Sequence, residues 1–211
     1  MLASPKLILA STSLYRRQLL ERLNIPFRCE KPEVDETPRI SETPRSLAKR
    51  LAREKSIAVA RRFPDAWVLG GDQVADHAGQ IIGKPGSLAA ARAQLLAFSG
   101  TTVAFYSAIC LSRCTSADDG VPDVKPYLDT TSVKFRRLQL PEIDAYLAAE
   151  SALDCAGSFK SEGLGITLLD RIDSIDPTAL IGLPLIKLAS MLRELSYIAS
   201  QDLRPTRYDI G

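Results

Sequence analysis

Lys6–Leu20 reads KLILASTSLYRRQLL, and its three parts decide the fold. Lys6–Ala10 is a short apolar run, the mark of a buried strand. Ser11, Thr12 and Ser13 follow as a polar turn. Leu14–Leu23 then sets Leu19, Leu20 and Leu23 at helical spacing, before Asn24 and Pro26 stop the helix. A buried strand feeding a polar turn and a helix is how an α/β domain opens.

The same alternation continues outward from this segment. Phe27–Lys31 reads as a strand and Pro32–Ser41 (PEVDETPRIS) as an acidic loop. Thr43 and Pro44 form a helix start, with an N-cap residue followed by proline at the first helical position. That helix is expected to run to about Phe63, ahead of Pro64. Trp67–Gly71 is another buried strand, leading into Asp72–Ala75, and Asp76–Gly79 is a hairpin turn before Gln80–Ile82. Ser87 caps a helix that ends at Phe98, before Gly100. Thr101–Leu111 and Tyr127–Leu138 are strands joined by a loop, which favours antiparallel pairing. Pro141–Ala149 is a short helix, Ala156–Gly165 an irregular stretch, Ile166–Leu169 a strand and Pro184–Leu195 the last helix. The tail after Ser200 reads as loose. The expected class is α/β with a mixed sheet. No linker or repeat divides the chain, so residues 1–211 are expected to form one domain.

Composition narrows the function classes. The 27 basic and 25 acidic residues leave a net charge of +2, without the general positive excess that grips long nucleic acid. An anion site must therefore be a local cluster of Arg and Lys. Four cysteines without a CxxC pair, and a single His, disfavour a zinc site and a disulfide framework. They read as reduced thiols, and a cytoplasmic location is expected. Met1–Ala10 lacks the long apolar region of a signal peptide, and no apolar stretch is long enough to span a membrane.

Several constellations carry candidate chemistry. Ser11, Ser13, Arg16 and Arg17 surround a helix N-terminus, where free N–H groups and the helix dipole favour phosphate; simple capping explains the serines equally well. Glu33, Asp35 and Glu36 offer oxygen ligands to a hard divalent cation, or are only a soluble loop. Lys55 lies on the apolar stripe of Leu47 and Leu51, so it either snorkels or meets a buried anion. Asp72 follows Gly70-Gly71 at the end of an apolar strand, where a carboxylate can hold a metal or take a proton from water. Lys84 sits on the stiff turn Gly83-Lys84-Pro85, which lacks the Walker A spacing. Asp154–Gly163 (DCAGSFKSEG) is a loop of the kind that closes a pocket. His77, on the hairpin, reads as a surface residue and not as a base.

In this order, LILASTSLYRRQLL, EVDET, LAREKSIAVA, GGDQV, GKPGS, DCAGSFKSEGLG and IGLPLIKL resemble the Maf family of nucleotide pyrophosphatases, from Leu7 to about Leu195. The resemblance implies an elongated mixed sheet with a cleft between two lobes, a fold shared with inosine-triphosphate pyrophosphatases. It also implies a homodimer and cleavage between the α and β phosphates assisted by Mg²⁺ or Mn²⁺. It assigns Asp72 as general base, Lys55 and Lys84 as catalytic lysines, and Ser11, Ser13 and Arg16 as phosphate-binding residues. Glu33 and Asp72 are the implied metal acids. At the specificity positions, Tyr15, Gln73 and Glu162 resemble the branch acting on 7-methyl-GTP. The branch acting on dTTP and UTP has Arg, Thr and Gln there. Methylation at N7 makes guanine cationic, so an aromatic ring can stack on it and a carboxylate can accept from its edge. The chain departs from the pattern at Leu14 (usually Pro), Gly71 (commonly Ser) and Tyr15 (frequently Trp). Alternatives are a Maf pyrophosphatase for dTTP, UTP or CTP, and a nucleotide-binding regulator of cell division, a process with which the family is linked.

Overall fold

The computed structural model describes residues 7–115 and 122–197. Most of the loop expected at Arg113–Asp123, and all of the tail after Ser200, lie outside the described residues. Within them the element order is β1 (Leu7–Ala10), α1 (Leu14–Glu21), β2 (Arg28–Glu30), α2 (Pro44–Ala60), β3 (Trp67–His77) and β4 (Gln80–Ile82). These are followed by α3 (Leu88–Phe98), β5 (Thr102–Arg113), β6 (Asp123–Phe135), α4 (Leu140–Ala149), a 3-10 turn (Leu164–Leu168), β7 (Leu169–Asp173) and α5 (Leu185–Glu194).

The seven strands form one mixed sheet in the order β2-β1-β3-β5-β6-β7, with β4 hairpinned onto β3. β1 lies parallel to both β2 and β3, while the β3–β5, β5–β6 and β6–β7 pairs are antiparallel. The α/β class and the antiparallel β5–β6 pair are therefore as expected from sequence.

Two expectations fail. The strand expected at Ile166–Leu169 is a 3-10 turn over Leu164–Leu168, and the strand proper is Leu169–Asp173. A short apolar run does not distinguish the two, and here Gly165 packs so tightly that a Cβ on it would lie 2.5 Å from the Lys160 carbonyl oxygen. The strand expected to end near Gly71 instead runs unbroken to His77. Asp72 thus lies within β3, paired with Ala108 of β5, and not in a turn beyond it.

The helix caps follow the sequence. The Ser13 hydroxyl accepts from Arg16 N at 3.4 Å, Thr43 from Ser46 N at 3.2 Å and Ser87 from Ala90 N at 3.3 Å. Apolar packing divides over the sheet. α1 and α5 cover Leu7, Leu9, Leu69, Ile109 and Leu111 near one end. α3 and α4 cover Val103, Phe105, Val133 and Phe135 near the other. α2 lies against β3 and β5 through Leu47, Ala48, Leu51 and Ala52. Gly70 makes that approach possible: a Cβ on it would lie 2.2 Å from Ala52 O and 2.6 Å from Ser56 N. Behind it the Ser56 and Ser112 hydroxyls meet at 2.7 Å.

Candidate active site

A cleft of about 880 Å³ opens over the middle of β3. Its floor is Asp72 and Lys55. Because α2 presses onto Gly70, the side chain of Lys55 reaches Asp72, and Lys55 Nζ donates to Asp72 Oδ1 at 2.7 Å. Both residues are buried, with 5% and 7% exposure. Burial pushes the Asp72 carboxyl above its ordinary range, while Lys55 and Arg16 pull it back. The floor is a carboxylate held between desolvation and a single ammonium, poised to accept a proton above the usual carboxylate range.

The N-terminus of α1 forms one wall. Ser11 is buried and Ser13 half-buried. Ser11 Oγ accepts from Ser13 N at 3.1 Å, while Ser13 Oγ caps the helix. Both serines therefore have local roles and also line the cleft. Arg16 Nε donates to Gly182 O at 3.3 Å, and the Arg16 side chain lies close over Gly71. A Cβ at 71 would touch Leu183 Cδ2 at 3.3 Å and Arg16 Cδ at 3.4 Å, so the position where serine is common lies directly beneath this arginine. Lys84 is exposed and lines the cleft rim beyond β4.

Another wall is the Asp154–Gly163 loop, which brings Lys160 and Cys155 to Tyr15 and Glu162 to the lining. The Lys160 ammonium lies 5.7 Å from the Tyr15 ring centroid, and the Cys155 thiol donates to the Tyr15 hydroxyl at 3.8 Å. Burial raises the Tyr15 phenol to about 12 and the Cys155 thiol to about 11, so both stay protonated near neutrality. Glu162 is exposed on the lining and accepts from the Ser161 hydroxyl at 3.4 Å. Gln73, next to Asp72 in β3, completes the group of expected specificity residues.

One expected residue is not in this group. Glu33 is exposed and does not line the cleft; Glu36, three residues on, does. Glu36 is 60% exposed, yet its Oε1 lies 2.9 Å from Lys55 Nζ. Arg50 holds this loop on α2, donating to the carbonyls of Asp35 and Thr37 and pairing with Glu42 and Glu54. That anchoring, which no short motif encodes, accompanies the placement of Glu36, and not Glu33, at the cleft. Lys160, carried with Glu162 in the SFKSEG run of the loop expected to close a pocket, lines the cleft as that loop does. His77 lies outside the cleft lining, its Nε2 3.1 Å from Thr101 Oγ1 and its ring edge-on to Phe98.

The arrangement joins a buried carboxylate–ammonium pair to a helix N-terminus and a ring of cations. It belongs to the class of sites that neutralise a phosphorylated ligand over a base. Comparison with known proteins takes the class further: the model of the family described as Maf-like protein matches residues 6–195, and the chain belongs to the Maf family. It is 58% identical over 193 residues to a 7-methyl-GTP pyrophosphatase of Xanthomonas campestris pv. campestris (strain 8004), spanning 92% of this chain and 97% of that protein. Proteins of the same name from Burkholderia lata and Aromatoleum aromaticum are 54% and 53% identical over 196 and 188 residues. Those matches span 92% and 89% of this chain, and 91% and 94% of the relatives. The four cysteines are free thiols. Among the described residues no helix is long and apolar enough to cross a membrane.

Proposed function

We propose that this chain hydrolyses 7-methyl-GTP to 7-methyl-GMP and pyrophosphate. The observation that carries the reading is the buried Lys55–Asp72 pair on the floor of a cleft walled by the N-terminus of α1 and Arg16. Asp72 acts as general base. Lys55 holds Oδ1, which leaves Oδ2 to take a proton from water as the oxygen attacks the α phosphorus. The bond from that phosphorus to the α–β bridging oxygen breaks, and pyrophosphate leaves. Charge on the phosphate oxygens is met by Arg16, Lys55, Lys84 and the hydroxyls and N–H groups at the start of α1.

A divalent metal fits the donor set. Asp72 Oδ1 and Glu36 Oε1 converge on one cation, the Lys55 ammonium, at 2.7 and 2.9 Å. Mg²⁺ characteristically takes one or two carboxylates and completes its shell with phosphate oxygens and water. Asp72 and Glu36 would hold the ion, which supplies charge neutralisation on the phosphates. The protein's own groups bind, orient and deprotonate. Tyr15 supplies the stacking face for the cationic base, and Glu162 and Gln73 face its edge.

The test is pyrophosphate release from 7-methyl-GTP, GTP, dTTP, UTP and CTP with Mg²⁺ or Mn²⁺, run beside Asp72→Asn. Preference for 7-methyl-GTP, lost in the variant, is the expected result. Preference for a pyrimidine would keep the chemistry and overturn the roles of Tyr15 and Glu162. Binding without turnover of any nucleotide would favour a regulator.

A further inference from the structure

Gln73 lies in β3 beside Asp72, and its side-chain amide is committed on one side. Nε2 donates to Leu180 O at 2.8 Å, to Ser107 Oγ at 3.0 Å and to Ala179 O at 3.1 Å. Two of these partners are carbonyl oxygens, which can only accept, so the amide nitrogen and not the oxygen must face them. Two N–H groups meet three acceptors, and none is left over. Oε1 has no partner in the protein among the described residues. The amide therefore offers a ligand only an acceptor.

Ser107 is the hub of this arrangement. It is 1% exposed and stands opposite Gln73 in the β3–β5 register. Its oxygen accepts from Gln73, and its hydrogen goes to Ala179 O at 2.7 Å. The hydroxyl thus ties the strand that carries Asp72 to the 179–182 loop, which lines the cleft through Leu180, Ile181 and Gly182. Arg16 holds the same loop from the other side at Gly182 O.

We infer that Ser107 is a positioning residue for base selection: it ties Gln73 to the Ala179 carbonyl and, with the Ala179 and Leu180 carbonyls, holds the amide so that the cleft reads N–H donors on the base and rejects acceptors. This rests on the proposed placement of the base against Gln73 and Glu162. Guanine presents two donors on its N1 and exocyclic amine edge, which suits two acceptors. A base presenting an oxygen there would face unrelieved lone-pair repulsion, a selection by exclusion.

Three variants and one spectroscopic measurement test it. Ser107→Ala removes the third acceptor of Gln73 and one of two donors to Ala179 O, so amide and loop loosen together. KM for 7-methyl-GTP should rise about tenfold, the size of one lost hydrogen bond, with kcat unchanged. Preference over UTP and CTP should fall with it, and Ser107→Thr, which keeps the hydroxyl, should restore both. In the wild-type protein both side-chain N–H protons of Gln73, assigned by their absence in Gln73→Met, should stay protected from exchange with and without nucleotide. A preference unchanged within twofold in Ser107→Ala overturns the inference, as does rapid exchange of those protons. Loss of all turnover in the wild-type enzyme is a different failure, that of the proposed reaction itself.

Discussion

Lys55 and Asp72 are held 2.7 Å apart by a glycine that belongs to neither. Gly70, two residues before Asp72, gives α2 the backbone contact that carries Lys55 to the sheet. The pair is buried, and breaking a buried pair by removing one partner costs about 3–5 kcal/mol, because the other charge is left without compensation. In Lys55→Met, desolvation of Asp72 loses its largest opponent. The acid limb of kcat/KM, governed by the Asp72 proton in the free enzyme, should move to higher pH and the plateau should fall. The stability profile follows with the opposite slope. A raised carboxyl keeps its proton in the folded chain at a pH where the unfolded chain has released it. Stability therefore falls as pH rises between the ordinary carboxylate value and the raised one, and the variant widens that window. An acid limb that stays in place or moves down would remove Asp72 as the base.

Gly70→Ala tests the geometry without touching a charge. Its new methyl carbon would sit 2.2 Å from the Ala52 carbonyl oxygen, backbone against backbone, so α2 must shift. Overpacking of this kind costs about 1–3 kcal/mol, and the shift draws Lys55 from Asp72. A thermal melt lowered by several degrees together with a large loss of kcat is expected. A melt unchanged from wild type would show that the helix packs elsewhere.

Most of the fold was legible because periodicity and caps report local structure. Ser13, Thr43 and Ser87 each cap the helix expected of them, and the hairpin expected at Asp76–Gly79 forms, with its turn narrowed to Ala78–Gly79. Two readings failed where tertiary contact decides. Gly70-Gly71 reads as the end of a strand, yet both residues stay in β3 because the ladder with β5 continues through them, Gly70 opposite Cys110 and Gly71 opposite Ile109. Ile166–Leu169 is apolar enough for a strand but is wound into a turn beside Lys160. At the site, residues on short motifs were legible, and Glu36 was legible as one of three acids in its loop. What brings it to the cleft in place of Glu33 is Arg50 anchoring the loop, and what sets Ser107 beside Gln73 is strand register; neither relation leaves a local pattern.

Glu162→Gln keeps size and removes charge. A carboxylate accepts from two N–H groups of a cationic base in charge-assisted bonds, about twice as strong as neutral ones. The amide would accept at one atom and oppose a donor with its own N–H at the other. Selectivity for 7-methyl-GTP over GTP should fall about tenfold, mostly in KM. Equal selectivity in the two enzymes would remove Glu162 from base reading.

Lys160 already lies near the aromatic face that a cationic base would use, its ammonium 5.7 Å from the Tyr15 centroid. A cation over an aromatic ring is worth about 1 kcal/mol at a partly exposed site. Lys160 therefore competes with a methylated base far more than with a neutral one. Lys160→Met should improve the 7-methyl-GTP to GTP ratio of kcat/KM about fivefold. If Lys160 instead bound phosphate, both substrates would suffer equally and the ratio would not move.

Arg50 makes its case through the loop that carries Glu36. Its guanidinium is bonded to Glu42 at 2.7 and 2.8 Å, to Glu54 at 2.9 Å and to the carbonyl of Thr37 at 3.0 Å. The Glu42 side chain is only 8% exposed, and the Arg50 bonds hold its carboxyl at about 2. A depressed carboxyl contributes stability above its unfolded value, so this contribution is present near neutrality. It is lost as pH falls from the ordinary glutamate range towards 2. Arg50→Gln removes the charge and most of the fork. It should cost about 2 kcal/mol near neutrality, the scale of a hydrogen bond to a charged group, and flatten the acid branch of the stability curve. The loop should then become cleavable in limited proteolysis around residues 35–41, and the apparent affinity for Mn²⁺ in the presence of nucleotide should weaken as Glu36 loses its anchor. Proteolysis and metal affinity that both match wild type would mean the loop is held by something other than Arg50.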